Sequence, residues 1–108
     1  MKGKYWDFDD LQIEDYKDVL HKELFWLLLY KDPKTCNEYK YVDYDKYFTG
    51  LMKQLDGLNE LLLHPVQLIK LMSLLEAAFI ETKEETFDYQ SYRKLILDAH
   101  SLVDKLTE

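Results

Sequence analysis

Three histidines, His21, His64 and His100, are the side chains of this chain best able to hold a metal ion, and their acidic neighbours decide whether they could. A di-metal carboxylate bundle needs a Glu three residues before a His on two helices, with further glutamates facing inward. Asp18 stands three before His21, but Leu61 and Leu97 occupy that place before His64 and His100, so the pattern fails. Glu60 and His64, four apart, share a helix face, as do His100 and Asp104. Two ligands each are too few for a closed site. The expectation is therefore no metal and no cofactor, with His64 at a junction between helices and His21 and His100 at the bundle rim.

Nucleophilic chemistry finds no better support. Cys36 lies in a connection with Lys34 nearby, which favours a thiolate slightly, but a reactive thiol also needs an oriented base. Ser73, Ser91 and Ser101 lack the glycine-framed elbow of the G-x-S-x-G type. No glycine-rich loop precedes a helix to cradle a phosphate. The paired carboxylates Glu84-Glu85 and Asp9-Asp10 sit in polar runs where solvation explains them. No catalytic residue is expected, and the chain reads as non-enzymatic.

Recognition is what remains, and it centres on Leu24-Phe25-Trp26-Leu27-Leu28-Leu29-Tyr30. A helix turns roughly 100° per residue, so a continuous apolar run points in every direction and cannot all face one core. Ile13, Tyr16, Leu20, Leu24 and Leu27 recur at spacings of three and four and define the buried stripe. Opposite them lie Asp10, Glu14 and Asp18, then Lys22, then Phe25 and Leu29. Carboxylates at a helix start interact favourably with its dipole, so the acidic half has a structural explanation. The apolar half has none of its own. Phe25, Trp26 and Leu29, with Asp10, Glu14 and Asp18 along the same side, are the candidate interaction residues. A second copy of the chain is the first expected partner, because two-fold dimers are the commonest oligomers. The alternative is an acidic inhibitor or nucleic-acid mimic that presents its carboxylates to a basic groove of another protein.

The elements that must position these residues follow from composition. Among 108 residues, 47% are hydrophobic and 15% aromatic, too many for disorder, and 3 Gly and 2 Pro leave few breaks for hairpins. One domain of long helices, spanning residues 1–108, is expected. The single cysteine rules out an internal disulfide and fits a reducing compartment. The first residues, Met1 to Asp7, lack the apolar core of a signal peptide. The longest nearly apolar reach, Leu58 to Ile80, is interrupted by Glu60, His64-Pro65, Lys70 and Glu76, which excludes a membrane span. The expected location is cytoplasmic. A net charge of −7 disfavours direct nucleic-acid binding, where lysine and arginine must neutralise phosphates.

The pattern predicts an all-α, compact four-helix bundle with helices over 10–31, 43–63, 65–82 and 88–107, and one long loop over 32–42. Asp32-Pro33 stops the first helix. Asp43 or Asp45 caps the second, whose stripe runs through Tyr44, Phe48, Leu51, Leu55, Leu58 and Leu62. Gly50 and Gly57 fall together on its opposite side, either tolerated there or admitting a close neighbour. Pro65 opens the third helix directly after the second, which makes the two antiparallel neighbours. The third is apolar on all but a strip through Gln67, Lys70, Ser73 and Ala77 and is expected at the centre. Tyr89, Tyr92, Leu95, Ile96, Ala99 and Val103 form the stripe of the fourth. The aromatic arm holding Tyr5, Trp6 and Phe8 is expected to pack on the bundle. Whether Tyr39 and Tyr41 lie over Phe25 and Leu29 is left open by the sequence.

Overall fold

Each helix start is fixed by an aspartate or a proline. The computed structural model describes residues 1–106, and among these the helices are α1 (Asp10–Lys31), α2 (Tyr44–Leu61), α3 (Val66–Thr82) and α4 (Tyr89–Asp104). Asp9 accepts the Gln12 backbone N–H at 2.8 Å while the Gln12 side chain accepts the Asp9 N–H at 3.0 Å, a reciprocal box that satisfies two otherwise unpaired donors. Asp43 caps α2 through the Lys46 N–H, and Asp88 caps α4 through the Gln90 N–H and the Ser91 hydroxyl. Such caps are each worth about 1 kcal/mol.

The four helices form a ring in which α1 meets α2 and α4, and α3 meets the same two. All neighbours run antiparallel: His21 faces Asp104 while Tyr92, earlier on α4, reaches Leu27, later on α1. An up-down-up-down bundle results, 43 × 22 × 21 Å. Its main core gathers Leu20, Leu24, Leu27, Phe48, Leu55, Leu75 and Ile96 with their neighbours. The expected all-α, four-helix architecture is thus the one observed.

Four local expectations change. The 32–42 connection contains a short 3-10 helix, Cys36–Tyr39. Asp32 organises it: its carboxylate accepts the Lys34 N–H at 2.9 Å, and its carbonyl accepts those of Thr35 and Cys36. The second helix ends at Leu61 rather than 63, because His64 donates its N–H to Asn59 and Leu63 to Glu60 across a left-handed turn. Leu63 and His64 both carry positive φ, at 63° and 58°, in places where glycine is usual. Pro65 caps α3 instead of beginning it, with its carbonyl accepting from Leu68 and Ile69. Finally, α4 stops at Asp104, and the expected end at 107 lies outside the described residues.

The third helix is not central. Its outer strip carries Val66, Ile69 and Ile80 as well as Lys70, Ser73 and Ala77, whereas Gln67 is half-buried. In a ring of four, every helix keeps one outward face, however apolar its sequence.

The arm before α1 turns back on itself. Lys2 and Asp7 form an antiparallel bridge, the Gly3 N–H donates to the Trp6 carbonyl, and the Met1 ammonium donates to the Phe8 carbonyl. The Lys4 N–H also satisfies the Leu61 carbonyl at the end of α2. Only Phe8 packs as expected, in a second core with Ile13, Leu62 and Leu106, while Tyr5 and Trp6 stay exposed.

The glycines differ sharply in what they tolerate. A Cβ on Gly3 would lie 2.3 Å from the Phe8 ring and 2.6 Å from the Trp6 carbonyl, whereas one on Gly50 or Gly57 would meet nothing within 4 Å. Gly3→Ala is expected to destabilise by about 1–3 kcal/mol through overpacking. Gly50→Ala and Gly57→Ala should each stabilise by up to about 1 kcal/mol. Urea unfolding of the three variants measures both signs.

Candidate interaction surface

On α1 the acidic and apolar halves are both outward. Asp10, Glu14 and Asp18 are exposed, and Glu14 lies 3.4 Å from the Lys17 ammonium. Phe25 is 54% exposed and Trp26 38%. Leu29 is half-buried, with its carbonyl accepting the Thr35 hydroxyl at 2.8 Å.

The loop covers this region unevenly. Tyr39, on the 3-10 turn, packs edge-on against Trp26 and Tyr30 with centroids 5.8 and 5.4 Å away, and Trp26 stacks on Tyr30 at 5.8 Å. Tyr41 turns out to solvent. The tyrosine-bearing connection therefore shields Trp26 and leaves most of Phe25 open. The six candidate residues lie along α1, but Trp26 belongs to the side facing α2 and the loop, whereas Phe25 belongs to the outer face.

Between α1 and α2 the packing is looser than elsewhere. At one end Tyr47 donates to the Glu23 carboxylate and stands perpendicular to Tyr30. Towards the other end the helices part over an apolar groove of about 240 Å³, lined by Tyr16, Val19, Leu20, Gln54, Leu55 and Leu58. No sequence pattern announces this groove, because it reflects the distance between two helices rather than the faces they present.

A tyrosine chain ties the bundle together at the end where α1 closes and α4 opens. Tyr92, fully buried, donates to the Leu27 carbonyl at 2.8 Å, and its oxygen lies 2.9 Å from the Tyr44 hydroxyl, which is left to donate. The Lys31 ammonium stands 4.2 Å above the Tyr44 ring. Burial pushes the Tyr44 hydroxyl up to about 12, against an opposing effect of its bond to Tyr92. Tyr92 and Tyr47 are raised too, burial being the main cause in both. Burial also holds Lys31 below the usual ammonium range, partly offset by Asp45.

The residues weighed for chemistry fall into separate places. The His64 ring N–H donates to the Glu60 carboxylate at 2.9 Å, one turn earlier, which holds the Glu60 carboxyl below its usual range. Ser91 is engaged in the Asp88 cap, and Cys36 is half-buried in the 3-10 turn. His21, expected at the rim, instead joins the His100–Asp104 pair. Its ring stacks on His100 with centroids 4.1 Å apart, and its Nε2 lies 3.0 Å from Asp104 Oδ1. Sequence spacing finds the pair on α4 but not the third member, which arrives from a remote helix.

No protein-family model, no curated protein and no solved structure matches this chain. Among the described residues, no helix is long and apolar enough to cross a membrane.

A hydroxyl whose folded pKa exceeds its unfolded value stabilises the fold fully below the unfolded pKa and loses that contribution as pH rises. For Tyr44 the window runs from 10.0 to about 12. Tyr44→Phe is expected to cost about 1 kcal/mol at neutral pH through the donor lost to Tyr92. The gap between wild type and variant should then narrow above pH 10, by at most about 1.4 kcal/mol per pH unit. Denaturant titrations of both proteins at neutral and alkaline pH provide the check.

Proposed function

We propose that this chain works by protein–protein contact rather than catalysis, and that its first partner is a second copy docked on the outer face of α1. The observation that supports this most directly is Phe25, a large aromatic 54% exposed near the start of the chain's longest apolar run. Trp26 flanks it at 6.3 Å, edge-on, and Asp18 and Lys22 form a polar border. An aromatic anchor with a charged rim is the composition of an interface centre. Like charges select the geometry. A two-fold antiparallel pairing centred on Phe25 carries the Asp10-to-Asp18 ends of the two helices to opposite sides, whereas a parallel pairing would lay six carboxylates together. The lone Cys36 suits a reducing cytoplasm as the setting.

A second reading rests on the same helix. Asp10, Glu14 and Asp18 are all exposed at four-residue spacing, a rigid line of negative charge that a basic groove on another protein could take.

Sedimentation equilibrium separates the two. Self-association predicts a mass near twice 13.1 kDa. Phe25→Asp removes the anchor from both halves of a two-fold contact, so the dissociation constant should rise by about a thousandfold, at about 2 kcal/mol per copy. The exposed position leaves the fold intact. A protein that stays monomeric at high micromolar concentration contradicts self-association. Salt-sensitive capture of a basic protein, abolished by neutralising Asp10, Glu14 and Asp18 together, would favour the acidic reading.

A further inference from the structure

We infer that His21, His100 and Asp104 form a binding site for one borderline divalent cation of the zinc type, placed where α1 crosses the last turn of α4. His100 and Asp104 stand four apart on one face of α4, and α1 brings His21 to them across the antiparallel contact. One ligand atom from each of the three lies within 4.8 Å of the others. A tetrahedral ion with ligands at about 2.0–2.1 Å sets those ligands about 3.3 Å apart, so the two stacked rings must turn about their side-chain torsions and the three ligand atoms draw together to close on the ion.

The second observation concerns His21 itself. Its Nε2 is buried and has no hydrogen-bond partner, although Asp104 Oδ1 is only 3.0 Å away. The carboxylate is near but off the axis along which the ring nitrogen bonds. A hydrogen bond loses most of its strength in that arrangement. A shared cation accommodates an off-axis carboxylate, because the ion takes the lone-pair axis and the second ligand sits to the side.

The donor set decides the class of ion. Two imidazoles and a carboxylate suit zinc, and also nickel, cobalt or copper, rather than calcium or magnesium, which favour oxygen alone. Three protein ligands leave the fourth position to water. The nearby Lys17 ammonium, 3.3 Å from the Asp104 backbone carbonyl, is engaged with α4's end and with Glu14. Bound there, the ion links α1 to α4 through three side chains and fixes the last turn of the bundle.

Calorimetric titration of the EDTA-treated full chain with zinc chloride is expected to show one equivalent bound at micromolar affinity. Tm should rise by about 5 °C at saturating zinc. Cobalt chloride should give the visible absorption of a low-symmetry site. His21→Gln and His100→Gln should each weaken zinc binding at least tenfold, and Asp104→Asn, at an exposed carboxylate, should do the same without disturbing the core. His64→Gln, at the other histidine–carboxylate pair, should leave affinity unchanged. Equal Tm values in EDTA show that the variants fold. The inference is overturned if no saturable binding occurs, or if binding survives substitution of both His21 and His100.

Discussion

The packing of this protein depends on one constraint: the apolar run at the end of α1 points all round its helix, and no single neighbour can cover it. Leu24 and Leu27 go to the main core. Leu28 faces α4, where its carbonyl lies 3.5 Å from the Tyr89 hydroxyl, and Tyr30 faces Tyr47 of α2 and Tyr39 of the 3-10 turn. Three different elements are thus recruited around two turns of one helix. Phe25 is what they leave over.

The bundle meets this demand with unequal spacing. On the far side, α3 and α4 pack closely, and each contributes a fully buried alanine, Ala78 and Ala99. Small residues at a contact allow short interaxial distances. Between α1 and α2 the contact is made instead by Tyr30, Tyr47 and Tyr16, and rings of that size hold the backbones apart. The apolar groove between Tyr16 and Leu58 follows from the separation those rings impose. Polar tips are then unavoidable inside the bundle, and the pairing of Tyr92 with Leu27 and Tyr44, and of Tyr47 with Glu23, satisfies them.

Periodicity is sufficient to read the helices because it is local, and so is the Asp43 cap; the Asp9 capping box escapes a reading in which Asp9-Asp10 is a solvated acidic pair. The outward angle of Phe25 on its helix is legible for the same reason, but that the loop leaves it 54% exposed is not. Features joining distant positions were not. The meeting of His21 with His100 and the bond from Tyr44 to Tyr92 depend on how two helices are rotated and staggered, which neither helix encodes alone. The 3-10 turn at Cys36 was hidden by the lack of any periodic pattern over four residues. The left-handed pair Leu63-His64 was hidden because glycine, the usual signal, is missing there.

The two ends of the described chain are held by one patch of structure. Phe8 from the arm, Ile13 from α1, Leu62 from the end of α2 and Leu106 from beyond α4 share the second core. Directly beside it, Lys17, only 7% exposed, donates to the Asp104 carbonyl. A buried ammonium is costly unless paired, and the free carbonyls at a helix C-terminus offer both hydrogen-bond acceptors and the negative end of the dipole. His21 approaches the same turn one helical turn further along α1. The end of α4 is therefore fixed twice, by an apolar anchor after it and by the Lys17 ammonium and His21 ring along its flank. The first half of α1, whose outer surface carries Asp10, Glu14 and Asp18 beside the exposed Leu11 and Val19, contributes to stability through this inner side, which frees those three carboxylates from any role in holding the core.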